Sequence, residues 1–431
     1  MSKKVIILFI YCFSNTTLFS LQFFNYQENE PEITVFYDQS IEKKILPKNL
    51  MIFWFGSQQM FPKSQIQEEN YSVIPWKKKS QSILPPPPLT GKQMGVVQTP
   101  GIQPLGYELD GDIKVFRLIA QPVEQIIVDE QQSTFEYLIP PQNKIPHEIH
   151  HVPRYQRIKC WGYNGSTPGP TIEVTEGDRV RIIVKNELPE PTSVHWHGIE
   201  VPNDQDGSAP ETQRAILPGE EYVYEFTLYQ SGTAMYHSGF NVMRQDHMGL
   251  QGTFVIHPKK YEIPIDKDFV IMLQQWALFP GSEYLNLVTR DFNWFTFNGL
   301  AAPNVPVLTV NQGDRVRIRF SNIIMDSHPI HIHGYIWTNV GTEGGPIPSS
   351  AQTKGSTILV AAGTTRDVEF TAWNPGIWRL HCHKLHHIVN AHAEVPLSYM
   401  SHGGMFTLVH VIPKYPNGPW VPPNQKAITN E

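Results

Sequence analysis

The chain has 431 residues, enough for two or three domains of about 100–150 residues each. Apolar residues make up 40% and charged residues only 17%, and the 37 prolines suit a loop-rich β protein. A net charge of −6, with no block of like charge, argues against nucleic acid or an acidic lipid surface as partner.

The chain opens with Met1-Ser2-Lys3-Lys4, an apolar run from Val5 to Phe13, and a polar break at Ser14-Asn15-Thr16-Thr17. A basic start before a short apolar stretch is the layout of a secretory signal, placed here over about residues 1–24. The run falls short of the ~20 residues that span a bilayer. The mature chain is therefore expected to be exported, periplasmic or secreted, without a membrane span. The competing reading of the run is a buried strand opening a cytosolic domain. Residues 25–111 are weakly patterned, with runs at Lys77–Lys79 and Pro85–Pro88, and read as an irregular arm or linker. Beyond them short β-like runs recur to about Pro413, Val180–Val184 and Val316–Phe320 among them. No long amphipathic helix stands out, so the fold class is all-β, and residues 414–431 read as a tail.

An internal repeat organises the β region. Glu176-Gly177-Asp178-Arg179-Val180-Arg181-Ile182 matches Gln312-Gly313-Asp314-Arg315-Val316-Arg317-Ile318 at an offset of 136. At that offset His195, His197 and Gly198 fall on His331, His333 and Gly334. After a loop of different length the offset becomes 144, placing Gly219, Phe226, Gly232 and His237 on Gly363, Phe370, Gly376 and His381. Two copies of one β-domain follow, 112–260 and 261–413, each the size of a Greek-key sandwich.

Each copy carries a His-x-His pair on an expected strand: His195-Trp196-His197 and His331-Ile332-His333. Side chains two apart on a strand face the same side, so both imidazoles can reach one metal cluster. Imidazole suits copper, zinc, iron and nickel alike. In His381-Cys382-His383 the alternation turns the sulfur to one face and both imidazoles to the other, so two metal centres can share a three-residue bridge. His328 and His387 complete, with Cys382, the His₂Cys set of a blue-copper site. Zinc has no redox chemistry to use such a bridge, which makes copper the inference. Of the other cysteines, Cys12 lies in the expected signal and Cys160 reads as a small buried strand residue.

As a set, His195-Trp196-His197-Gly198, Met235-Tyr236-His237-Ser238, His328-Pro329-Ile330-His331-Ile332-His333-Gly334 and His381-Cys382-His383 with His387 resemble the multicopper oxidases, in particular two-domain bacterial, laccase-like forms. The resemblance covers about residues 155–412 and implies two cupredoxin-like sandwiches and up to four coppers per subunit. It implies that His328, Cys382 and His387 hold type 1 copper, and His195 and His331 type 2. His197, His237 and His383 would hold one type 3 copper, and His333 with His381 the other. It further implies a small-molecule or metal-ion reductant, dioxygen as acceptor, water as product, and a cyclic homotrimer. In the first copy Thr192 stands opposite His328 and Ser238 opposite Cys382, so only the second copy can build type 1. Asp206, in Asp204-Gln205-Asp206-Gly207, reads either as the acid that delivers protons to the cluster or as a turn residue before Gly207.

Two positions depart from the family pattern. The second motif ends in Gly239 instead of a histidine, leaving one type 3 copper with two protein ligands unless water or His247 fills the gap. Replacing Gly239 with His is then expected to raise copper occupancy. The alternative function is a copper-binding, copper-homeostasis protein with an incomplete type 3 site and little oxidase activity. Five residues after His387, the axial position of type 1 holds His392, leaving His392, a methionine such as Met400, or no ligand in that role. His386, His402 and His410 read as ordinary.

Overall fold

The structure, a computed structural model, describes residues 7–13, 16–21, 51–52, 97–135, 155–260, 263–289, 291–390 and 403–414. The chain divides into a unit of residues 1–72 and 279–282 and a larger one of 73–278 and 283–431. In the smaller unit Ile7–Phe13 pairs antiparallel with Thr16–Leu21 and parallel with Met51–Ile52. The rest of the expected signal, the arm up to residue 96, His392, Met400, His402 and the tail from residue 415 lie outside the described residues.

The larger unit holds two sandwiches. The first uses β1 (Ile113–Asp129), β2 (Tyr155–Tyr163), β3 (Gly169–Thr175), β4 (Arg179–Asn186), β5 (Val194–His197), β6 (Glu221–Thr227), β7 (Gly232–Ser238), helix α1 (Val242–Met248) and β8 (Gln251–His257). One sheet runs β6–β4–β1, with β2 also on β1; the other runs β3–β8–β7–β5. Strand β4 alternates buried and part-exposed side chains, with Val180, Ile182 and Val184 inward, as a strand facing core on one side must. Between the sheets Trp196 packs against Tyr224, Phe226, Tyr236 and Phe254. Burying that indole turns the strand over, so the flanking His195 and His197 point away from the core.

The second sandwich uses β9 (Lys267–Trp276), β10 (Trp294–Phe297), β11 (Leu308–Asn311), β12 (Arg315–Asn322), β13 (His328–Ile332), β14 (Trp337–Thr342), β15 (Thr357–Val360), β16 (Thr364–Thr371), β17 (Gly376–Cys382), helix α2 (Leu385–Val389) and β18 (Phe406–Ile412). Its sheets run β10–β9–β12–β16–β14 and β11–β18–β17–β13–β15. The sequence repeat is a repeat of pairing. The parallel contacts β1/β4 and β3/β8 recur as β9/β12 and β11/β18, and the antiparallel β5/β7 as β13/β17. Parallel pairs of strands that are not joined by hairpins are what a Greek key produces, so the all-β expectation holds.

Residues 97–110, expected as the end of the arm, are seated on this body. Val97 is buried with Val255 and Val270, Gln98 donates its backbone N–H to Asp268 at 2.8 Å, and Glu108–Asp110 pairs with the start of β1. Only Val97 and Tyr107 of the stretch are buried, so it carries no periodic pattern to read.

Where the sandwiches meet, Arg319 is buried. It donates to both Asp268 oxygens at 2.8 Å, to Asp367 at 3.3 Å and to the Thr233 hydroxyl at 2.8 Å. Asp268 is held below the usual carboxylate range because Arg319 outweighs the cost of its burial. Thr253 and Ser321 add a buried hydroxyl contact at 2.8 Å, and Thr365 donates to the Thr233 carbonyl at 2.8 Å.

Candidate metal centres

Strands β5 and β7 gather the first copy's histidines. His237 lies opposite His195 in this antiparallel pair, and Met235 opposite His197. Opposed residues share a face, as do residues two apart, so His195, His197 and His237 converge with ligand atoms within 4.8 Å of one another. His197 Nδ1 is 3.2 Å from His237 Nε2. The outer nitrogens are tied down. His195 Nδ1 meets the Asp206 carbonyl at 2.9 Å; His237 Nδ1 meets the Ser238 carbonyl at 2.9 Å and Asp246 Oδ2 at 3.0 Å. Such ties fix the tautomer and leave the opposite ring nitrogen with a lone pair for a metal. Burial and the neighbouring His237 and His195 push His197 down to about 4. Burial also pulls His237 down, but Asp246 more than offsets it and leaves that pKa raised.

Strands β13 and β17 repeat the arrangement, with His331 opposite His381 and Ile330 opposite Cys382. His331, His333 and His381 form a second group within 4.8 Å, and His333 Nε2 stands 3.1 Å from His381 Nε2. His331 Nδ1 is held by the Ser356 carbonyl at 2.9 Å, and His381 Nδ1 by the Cys382 carbonyl at 2.8 Å. His383 shares the face, its ring centroid 5.7 Å from that of His331 and 5.8 Å from that of His381. Burial pushes His381 down to about 4.

The third group lies on the other face of β17. His328 Nδ1 and His387 Nδ1 are 3.1 Å apart, and Cys382 Sγ is 3.9 Å from the first and 3.5 Å from the second. All three side chains are 0% exposed. Burial pushes His328 down to about 3 and His387 to about 2, so both rings are neutral, the form that binds metal. Burial raises the Cys382 thiol to about 11, and a coordinated metal would displace that proton. Two facing imidazole nitrogens and a thiol in a dry pocket can satisfy only one lone pair with their own N–H. The donor set, two imidazoles and a thiol, fits a copper ion.

Met405 was not singled out in the sequence. Cys382 donates its N–H to the Met405 carbonyl at 3.1 Å, and Met405 donates to the His387 carbonyl at 2.9 Å. The β17–β18 register pairs His381 with Phe406, so Met405 falls opposite Cys382 and its side chain lies on the sulfur's face, fully buried. Asp246, the partner of His237, was also missed; it sits on α1 with nothing periodic to mark it.

The first sandwich shows what replaces the sulfur site. The Thr192 and Ser238 hydroxyls both donate to Gln245 Oε1, at 2.7 and 2.6 Å, and the Gln245 amide donates to Glu190 and Pro191 at 2.8 Å. Where the second copy has two imidazoles and a thiol, the first has a closed hydrogen-bonded network.

Asp206 precedes Gly207, whose φ of +88° lies in the left-handed region, and its Oδ1 is 3.4 Å from His195 Nδ1. It is thus both a turn residue and a neighbour of a copper-ligand candidate. Gly239 is hemmed in: a Cβ there would stand 2.1 Å from the Gly207 carbonyl oxygen and 2.9 Å from Ser193 Oγ. The expectation that a histidine could be placed at 239 is corrected, because the Asp206–Gly207 loop occupies that space. His247 stacks on Phe292 at 5.5 Å, with Nδ1 on the Met243 carbonyl at 2.5 Å, and is not among the His237 group.

Multicopper oxidase family models match residues 147–261 and 280–395, together more than half of the chain. The chain belongs to the multicopper oxidase family, and copper is its cofactor. It is 35% identical over 136 residues to "Copper resistance protein A" of Escherichia coli, covering 31% of this chain and 22% of that protein. It is 29% identical over 250 residues to "Multicopper oxidase MmcO" of Mycobacterium tuberculosis, covering 49% and 47%. The chain thus spans less than half the length of these curated relatives. Among solved structures, the blue copper oxidase from Nitrosomonas europaea superposes with a TM-score of 0.55 at 26% identity, over 74% of this chain and 95% of that one.

Proposed function

We propose that this protein couples one-electron oxidation of a small-molecule or metal-ion reductant to reduction of dioxygen to water. The observation that carries the reading is the two-faced tripeptide His381-Cys382-His383. Its sulfur belongs to the His328–Cys382–His387 triad, while His381, with His383 beside it, faces the His331–His333 group. When bound, a type 1 copper would accept single electrons and a trinuclear copper cluster would bind and reduce dioxygen. His328, Cys382 and His387 hold the first. His195 and His331 hold the type 2 ion; His197, His237 and His383 hold one type 3 ion, and His333 with His381 the other.

The protein's own groups supply orientation and protons. The Asp206, Ser238, Ser356 and Cys382 carbonyls fix four imidazole tautomers, and Asp246 holds His237 in place. Asp206, beside His195, is the acid that passes protons inward as oxygen is reduced. The histidines fall into two groups on two sandwiches, and a cyclic homotrimer would bring the first group of one subunit to the second group of the next. The basic, apolar opening of the sequence supports export to the periplasm or medium.

Copper counting with electron paramagnetic resonance, combined with oxygen uptake in the presence of a phenol or a ferrous salt, tests this. Four coppers per chain and catalytic uptake are expected. The crowding of Gly239 favours a second reading, a copper-homeostasis protein whose type 3 pair lacks a ligand. One or two coppers with no uptake would establish that reading instead.

A further inference from the structure

The type 1 triad is sealed from solvent. His328, Cys382 and His387 are each 0% exposed, so a reductant in solution cannot touch a ligand ring. Among the described residues, two groups bridge His387 to the surface. One is Asp326, whose Oδ2 lies 3.9 Å from His387 Nε2. Its carboxylate is already engaged, by Lys384 Nζ at 3.5 Å and by the Gln275 amide at 3.2 Å in the orientation that satisfies both groups. The other is His386, next to His387 on α2 and exposed.

His386 stands edge-on to His387, with ring centroids 4.3 Å apart and planes at 82°. Phe295 holds both rings, stacked on His387 at 3.7 Å and 15° and edge-on to His386 at 5.7 Å and 84°. The buried ligand ring therefore continues into an exposed ring through direct aromatic contact, fixed from behind by a third ring. Leu385 beside it is 73% exposed, which leaves an apolar margin for a docking molecule.

We infer that electrons reach the type 1 centre through His386, and that the reductant is an outer-sphere donor docking on that exposed imidazole without bonding to the copper. The inference rests on the oxidase reading for the acceptor only. In the step, the donor loses one electron and the ion held by His328, Cys382 and His387 gains it. No bond is made or broken, and with a metal-complex donor no proton moves.

The test uses copper-loaded protein without oxygen and hexaammineruthenium(II), a substitution-inert one-electron donor, following bleaching of the blue absorption band in stopped flow. His386→Leu is expected to slow bleaching by about tenfold or more while leaving the blue spectrum, the paramagnetic resonance signal and the reduction potential as in the parent. A rate unchanged in His386→Leu overturns the inference, and so does slowing in Asp326→Asn alone, which would place the route at the Nε2 end of His387. A change of spectrum in step with the rate would show that His386 merely shapes the site, and overturns it too. Failure of the oxidase reading is seen separately, as reduced parent protein that air does not reoxidise.

Discussion

On the proposed oxidase reading a single side chain, Cys382, decides most of the chemistry, and its neighbours tune it. Cys382 was legible in the sequence because it interrupts a His-x-His pair, and His328 and His387 because of their spacing from paired histidines. Met405 was not, since it meets Cys382 only through strand register across a segment of about twenty residues. With Met405 on the sulfur's face, Met405→Leu is expected to raise the type 1 reduction potential and shift the blue band, read by redox titration. A copper contribution from Met405 is ruled out if potential and spectrum stay unchanged. The buried imidazoles also set a pH dependence. His328 and His387 are held neutral, near 3 and 2, whereas an unfolded histidine titrates near 6.5. Below that pH the unfolded chain binds more protons, so each ring lowers stability by about 1.4 kcal/mol per pH unit as pH falls. Melts of copper-free protein should therefore drop between about pH 6.5 and 4, and flattening of that slope in His328→Phe would identify the ring responsible.

Strands were legible where one face is buried and the other is not. The Val180–Val184 and Val316–Phe320 runs became β4 and β12, and the offset of 136 became a shared pairing pattern. What escaped was whatever depends on close approach of backbone. Gly239 looked like a ligand lost and replaceable, yet the Gly207 carbonyl stands where its side chain would begin. Gly239→His is accordingly expected to destabilise the fold by about 1–3 kcal/mol, measured by denaturant titration, without adding copper. A variant as stable as the parent that binds more metal would contradict this. Asp246 on α1 offers a milder perturbation of the same half-site. Asp246→Asn keeps the shape but removes the charge that raises His237, so weaker copper retention against a chelator is expected, by about 10–100-fold.

At the scale of the whole molecule, buried polar contacts tie the two sandwiches together along their seam. Arg319 there is buried with Asp268 and Asp367, and no pattern in the sequence announces it because alternation hides an arginine among strand residues. Arg319→Met would strip the buried Asp268 of both guanidinium hydrogen bonds and leave it only the longer pair with Arg317 at 3.8 Å, at a cost of up to about 3–5 kcal/mol, against ~0–1 kcal/mol for a surface pair such as Arg214–Glu220. A large fall in melting temperature is expected in the first case and almost none in Arg214→Ala. The trimer reading has its own test. Chains with His197→Ala mixed with chains carrying His333→Ala should recover oxygen uptake after co-refolding, because some interfaces then pair two intact groups. No recovery, with mixed trimers demonstrated, would mean that each chain completes its cluster alone.

The Gln245 network has a consequence for how the protein matures. Where the second copy has a sulfur triad, the first has an amide clasped by two hydroxyls, so this corner of it is set by hydrogen bonds alone, whatever the copper supply. The matching corner of its twin is built from a thiol and two imidazoles, a set suited to copper. Among the described residues, copper supply then bears on the first copy through His195, His197 and His237, and on the second through its sulfur triad as well as its histidine group.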